Sequence, residues 1–341
     1  MSLQVIVQSA TEHGKSELRR VDFLDGWRGV AIALVLISHF FPVSGIDLGR
    51  MGVDVFFVLS GMLMSNILFI KRVELSTFYK RRISRIVPIF FIFVSTVYCL
   101  SYFFGSSEDY KNYLYTLFFL RTYFPVEPGL WDTGLPIGHI WSLNVEEHCY
   151  ILLSSLTLFA VFRRKEYIPL FILGGSSILL NYFYTKFPSI APADYHLNTE
   201  VVASHLLISS GYFLIKHRVD KYVPSWLPVI TFILSLMCYH SMAPWFAPWL
   251  ISPFLLAFTV NHLNSIPPFI KVVLEYKPLR LLGLWSFSIY LWQQPIYSFG
   301  IKSGEVFNFA GPVLFTASVI IGASSFYLLE NPIRRYINNK W

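Results

Sequence analysis

Ten separate stretches of this chain run for close to twenty residues with hardly a charge among them, and that pattern limits what it can fold into. A helix needs about that length to cross the roughly 30 Å hydrocarbon core of a bilayer. The stretches lie near 29–46, 52–70, 87–104, 139–162, 167–185, 199–215, 223–241, 246–264, 281–300 and 308–329. Only 14% of the 341 residues are charged and 55% are hydrophobic, with a mean hydropathy of +0.54. A soluble domain carries roughly 25% charged residues. Too few charges remain here to clothe a water-facing surface, so the expected fold class is an all-α membrane protein, a bundle of about ten transmembrane helices.

The basic residues set the expected topology, because Lys and Arg collect on cytoplasmic loops. With the N-terminus inside, all but Arg50, Lys111, Arg121, Lys186 and Lys302 of the 27 basic residues fall on cytoplasmic segments. The segment 113–124 is apolar but too short to cross comfortably; counting it as a span would put Arg163, Arg164 and Lys165 outside. Ten spans with both termini cytoplasmic is therefore the expectation. It divides the chain into a cytoplasmic segment 1–24, a membrane domain 25–335 and a tail 336–341. Residues 1–20 lack the apolar core of a cleavable signal.

The same bias accounts for the net charge of +7, so no nucleic-acid partner is called for. Cys99, Cys149 and Cys238 stand apart in apolar stretches, without metal-ligand spacing, and read as packing residues; no metal site is expected. The longest outer connection, 105–138, is rich in Tyr and Phe. It reads equally as a partly ordered, substrate-facing segment and as an interfacial aromatic anchor.

Ionisable side chains inside spans are costly and usually mark function. Arg28 and His39 are eleven residues apart, which places them near one helix face and roughly 16 Å apart along the axis. Arg28 then sits near the cytoplasmic edge, with Asp25 as an i, i+3 partner, and His39 beyond the midplane. A lone histidine on an apolar helix is often a hydrogen-bonded packing residue. Here other polar groups occur at matching depth: Asp54 at the start of the second span, Trp141 with Glu146 and Glu147 in the fourth, and Tyr290, Gln293 and Gln294 in the ninth. A polar cavity open to the outside is the economical reading, with Asp54, Trp141, Tyr290 and Gln293 as substrate-binding candidates. On the cytoplasmic side, Lys80, Arg81, Arg82 and Arg85 read either as topology-setting charge or as ligands of a phosphorylated molecule. Arg82 and Arg85 share one face, and guanidinium forks suit phosphate. Gly61 allows close helix approach.

Six segments, in order, resemble the integral-membrane acyltransferase-3 proteins, which O-acylate surface carbohydrates. They are LDGWRGVAIALVLISHF (24–40), GVDVFFVLSGMLMSNIL (52–68), FYKRRISRIVPIFF (78–91), WSLNVEEHCYIL (141–152), SFSIYLWQQPI (286–296) and YLLENPIRR (327–335). The resemblance implies transfer of an acyl group, usually acetyl from cytosolic acetyl-CoA, to a sugar hydroxyl facing outward, in a bacterial inner membrane. The acceptor would be a carbohydrate or lipid-linked glycan. It makes His39 the catalytic histidine and Arg28 its signature arginine. Arg82 and Arg85 become the donor-side pair, and Glu146 and Glu147 the fourth-span carboxylates.

Family members commonly carry a His directly after Tyr-Leu-Trp in the ninth span, where this chain has Gln293, a side chain that can orient but not titrate. His148 stands where a Gln is expected. The resemblance also implies a short, membrane-only form without an esterase-like domain. The expected mechanism has His39 as general base with Glu146 or Glu147 fixing its tautomer, or a transient acyl-histidine. A proton-coupled transporter and a non-catalytic relative are the rival readings. The missing inverted repeat argues against the first, and Gln293 speaks for the second.

Overall fold

A computed structural model describes residues 22–103, 109–302 and 310–340. The expected cytoplasmic segment therefore lies outside the described residues, except for its last three. The architecture is helical, and the one β pairing among the described residues joins Ile46 to His240. The chain folds as α1 (Asp22–Phe40), α2 (Leu48–Ser65), α3 (Leu75–Phe103), α4 (Tyr110–Leu117), α5 (Trp141–Leu156), α6 (Tyr167–Lys186) and α7 (Ser204–Ile215). It continues through α8 (Leu227–Cys238), α9 (Ser252–Asn261), α10 (Pro268–Leu274), α11 (Lys277–Lys302), α12 (Ala310–Ser325) and α13 (Asn331–Lys340).

Among the described residues, five helical runs are long and apolar enough to cross a membrane: Phe23–Phe40, Leu48–Ile70, Leu75–Phe103, Tyr167–Lys186 and Gly311–Lys340. Leu227–Cys238 and Ala247–Asn261 are apolar but shorter. The other expected spans fall on α5, α7 and α11, and the reason they read as less apolar is positional. The first eight residues of α7 are all buried, and ten of the sixteen residues of α5 are buried. A helix wrapped by other helices can carry Ser, His and Glu, because only lipid-facing positions must be apolar. Outward faces of the long helices show Phe91, Leu100, Ile172, Leu179 and Ile320 exposed, as lipid contact requires.

α1 is central, packing on α11, α2 and α12. Its contact with α11 is backbone to backbone. A Cβ at Gly283 would lie 1.7 Å from the carbonyl oxygen of Asp25, so any larger residue would force the helices apart. Gly61 serves α2 and α7 in the same way, with the Leu206 carbonyl 2.2 Å from where its Cβ would be. Ser209 and Ser210 of α7 then donate to the carbonyls of Val58 and Gly61, at 2.6 and 3.1 Å. Small polar residues thus lock the two helices.

The end of the first span differs from expectation. α1 ends at Phe40 instead of 46, because Pro42 has no N–H to continue the ladder and disfavours helical geometry in the residue before it; His39 is therefore in the last helical turn. The 113–124 stretch forms only the eight-residue α4, about 12 Å long, pinned to α3 by Ser95–Tyr113 and Tyr98–Thr116 hydrogen bonds, each 2.9 Å. Cys149 and Cys238 are buried as packing residues, but Cys99 is exposed on α3.

Candidate active site

His39 opens onto a cavity of about 460 Å³. The ring is held on two sides by α11. Its Nδ1 lies 2.5 Å from Oε1 of Gln293, and the ring of Tyr297 stacks on it with centroids 4.5 Å apart and planes 15° apart. Gln293 and Tyr297 are four residues apart, so one face of α11 supplies both contacts. Gln293 is fully buried and does not reach the cavity wall. A carbonyl oxygen at Nδ1 places the proton of the neutral ring there and leaves Nε2 with its lone pair free. That tautomer can accept a proton.

The rest of the wall comes from α1, α2, α5, α11 and three connections: Ser38, Asp47, Arg50, Trp131, His139, Trp141, His196, Tyr290 and Gln294 among them. Trp131 belongs to the long aromatic connection, so at least part of that loop faces this cavity. Burial holds the His196 imidazole below its ordinary range, so it offers hydrogen bonding and not charge near neutrality. Of the four residues expected to meet substrate, Trp141 and Tyr290 line the cavity. Gln293 reaches it only through His39. Asp54 is a correction: it is fully buried and lies behind Arg50, whose Nε donates to it at 3.1 Å. A carboxylate at that depth of α2 gains more from an adjacent arginine and from Tyr239, which donates at 2.8 Å, than from facing open space.

A second, narrow cavity of about 60 Å³ is lined by Arg28, Arg82, Arg85, Ser60, Glu146, Ser142, Ser286 and Tyr290. Val53 and Tyr290 line both cavities and so form the wall between them. Tyr290 is fixed there: its hydroxyl donates to the His139 carbonyl at 2.8 Å and lies 2.7 Å from Ser142 Oγ.

Of the two carboxylates, Glu146 lines this second cavity and Glu147 is held to its wall residue Arg82. Arg82 donates from Nε and Nη2 to one oxygen of Glu147 at 3.1 and 2.8 Å and lies 3.4 Å from Glu146. Its guanidinium also covers the Tyr150 ring at 3.6 Å. Glu146 accepts from Ser60 at 2.5 Å and from the Tyr150 hydroxyl. The expected Glu146 or Glu147 contact to His39 is therefore absent. The reason is depth: with α1 ending at Phe40, His39 is level with Trp141 at the start of α5, and Glu146 lies about 7 Å further along that helix.

The donor-side arginines divide in a way the sequence did not indicate. Arg82 is saturated by two carboxylates. Arg28 and Arg85 form no ion pair within 4 Å among the described residues; Asp25, the expected partner of Arg28, acts on it through its charge, and Arg28 Nε has no hydrogen-bond partner. Asp25, Glu146 and Glu330 balance their charge at longer range. Lys80 and Arg81 are off the cavity wall, Arg81 being exposed. At 100° per residue, turning Arg82 inward turns Arg81 away.

Several members of these sites were not anticipated as such: Tyr297, His139, Arg50, Ser60 and Tyr150. Tyr297 was recoverable, since it stands one turn after Gln293. No group of three His, Cys, Asp or Glu side chains placed to hold a metal occurs among the described residues.

Known proteins are similar to this chain in sequence. The peptidoglycan O-acetyltransferase OatA of Listeria monocytogenes is 27% identical over 92% of this chain and 56% of its own length. The O-acetyltransferase OatA of Staphylococcus aureus is 23% identical over 92% of this chain and 57% of its own length. The chain thus spans little more than half the length of these relatives. No solved structure is significantly similar to it. The family described as the acyltransferase domain matches residues 21–329, nearly the whole bundle described above. The chain belongs to this acyltransferase-3 family of membrane proteins.

Proposed function

We propose that this protein is a membrane O-acetyltransferase that moves an acetyl group from acetyl-CoA to a hydroxyl of a carbohydrate in the His39 cavity. The observation that carries the reading is the pair of abutting cavities, one holding a histidine with a free Nε2 and the other two arginines that form no ion pair among the described residues. Peptidoglycan, named for the relatives, is the first acceptor to try, either polymerised or lipid-linked. Ten crossings in a bacterial inner membrane, with both termini cytoplasmic, would put the arginine cavity toward the cytosol and the His39 cavity toward the outside.

Arg28 and Arg85 supply positive charge for the anionic donor. A cavity of about 60 Å³ admits a thin chain and excludes a nucleotide, so the phosphates stay at its mouth while the extended arm and its thioester point inward. Tyr290 and Val53 must shift for the thioester to reach the neighbouring cavity. His39 Nε2 takes the proton of the acceptor hydroxyl as the oxygen attacks the thioester carbonyl; the tetrahedral adduct expels the thiolate, which recovers the proton. Gln293 keeps Nδ1 protonated throughout, the role that a triad gives to its carboxylate.

Loss of a general base costs a factor of about 10² to 10⁴. In membranes containing this protein, His39→Ala should therefore reduce acetyl transfer from labelled acetyl-CoA to glycan by at least about 10². Full transfer by a normally inserted His39→Ala protein would reject the mechanism, and substrate uptake without any modified glycan would favour a transporter.

A further inference from the structure

The His39 cavity carries one cation that the chemistry above does not use. Arg50, in the first turn of α2, lays its guanidinium over Trp141, 4.9 Å from the ring centroid. Its own backbone N–H donates to Asp47 Oδ1 at 2.9 Å, and its Nε to Asp54 at 3.1 Å. Asp54 is gripped from behind. Tyr239 donates to it at 2.8 Å, Ser252 lies 2.9 Å from the same tyrosine hydroxyl, and His205 Nδ1 is 3.5 Å from the other carboxylate oxygen. All four of these side chains are buried. They come from α2, α7, α9 and the end of α8, so four helices converge to fix one arginine.

An ion pair kept only for stability gains little by burial and has no reason to show its cation to a cavity. This pair is asymmetric: the Asp54 side chain is 1% exposed and that of Arg50 27%. A guanidinium has five N–H donors. Only Nε meets an acceptor among the described residues, leaving the Nη1 and Nη2 donors available on the cavity side.

We propose that Arg50 orients the acceptor. Its Nη donors take two neighbouring oxygens of the sugar, and the chosen hydroxyl is thereby turned toward His39. Asp54 and Tyr239 are positioning residues that act through it. The inference rests on the acyl-transfer reading of this cavity. A carboxylate and a pair of adjacent hydroxyls both present two oxygens to a guanidinium fork, so the shared chemistry is an oxygen pair on the acceptor.

The test uses the full chain in detergent, carrying His39→Ala so that nothing turns over. It is titrated calorimetrically with an N-acetylglucosamine tetramer and with an oligogalacturonide. Adding Arg50→Ala should weaken binding of at least one glycan tenfold or more. Arg50→Lys should recover only part, because an ammonium cannot fork, and Tyr239→Phe should give a smaller loss in the same direction. A loss confined to the oligogalacturonide and reduced by salt identifies a carboxylate as the group held; a loss for both glycans identifies hydroxyls. With His39 intact, Arg50→Lys should raise the acceptor KM more than it lowers kcat.

Equal affinities with and without Arg50, at unchanged thermal unfolding, would overturn the proposal, as would failure of both glycans to bind the parent protein. Should Arg50→Ala not fold, Arg50→Lys carries the comparison. Arg50-dependent binding in a protein that, with His39 intact, transfers nothing would uphold this inference and reject the acyl-transfer reading. Transfer indifferent to Arg50 does the reverse.

Discussion

At Gln293 a single amide decides how His39 can act. Its carbonyl oxygen fixes the Nδ1–H tautomer at 2.5 Å, and a side chain of similar size without an acceptor would leave the ring free to present either nitrogen. Gln293→Leu should therefore lower the transfer rate by about tenfold to a hundredfold, within the general-base contribution, with little change in acceptor KM. Gln293→His should retain more activity than Gln293→Leu, because an imidazole nitrogen can also accept. Rates and KM values from the membrane assay check both; an unaltered rate in Gln293→Leu would remove the positioning role. The sequence made this residue legible as an orienting group but not what it orients, because that contact joins residues 254 positions apart. Glu146 and Glu147 were legible as buried charges, and were matched to the wrong partner because the end of α1 was placed six residues too late.

At the scale of elements, the fold depends on close helix contacts and on one saturated cluster. Arg82→Ala leaves Glu146 and Glu147 in a largely buried site without their cation, a defect that costs about 3–5 kcal/mol. A lowered unfolding temperature in detergent, partly restored by the added pair Glu146→Gln and Glu147→Gln, is the expected result. Gly283→Val should destabilise by about 1–3 kcal/mol through overpacking, since its Cβ would meet backbone and not a flexible side chain. The role of Gly61 was readable from sequence, because a glycine among apolar residues of a span has few other uses. The division of labour among Arg28, Arg82 and Arg85 was not, because it depends on which carboxylates α5 brings to α3.

For the whole molecule, hydropathy located most of the helices, since lipid-facing positions must be apolar whatever the fold. The stretches it marked at 139–162, 199–215 and 281–300 fall on α5, α7 and α11, helices that other helices surround; Glu146, Glu147, Tyr290 and Gln293 on α5 and α11 join His39 of α1 and Arg82 and Arg85 of α3 at the two cavities. The proposed topology makes its own prediction. In a variant whose native cysteines are replaced by serine, a cysteine at exposed position Lys111 should react with an impermeant thiol reagent added to intact cells. One at exposed position Lys165 should react only after lysis. The opposite pattern would invert the bundle and exchange the compartments assigned to donor and acceptor.

Transfer requires donor and acceptor to meet across Tyr290 and Val53 at His39. The most direct measurement traps labelled acetyl-CoA within proteoliposomes of uniform orientation, with the arginine cavity inward, and supplies glycan only outside. Label should appear on the external glycan with the parent protein and be lost with His39→Ala. External glycan labelled equally well by the His39→Ala protein, or label transferred only when both reactants share one compartment, would contradict it.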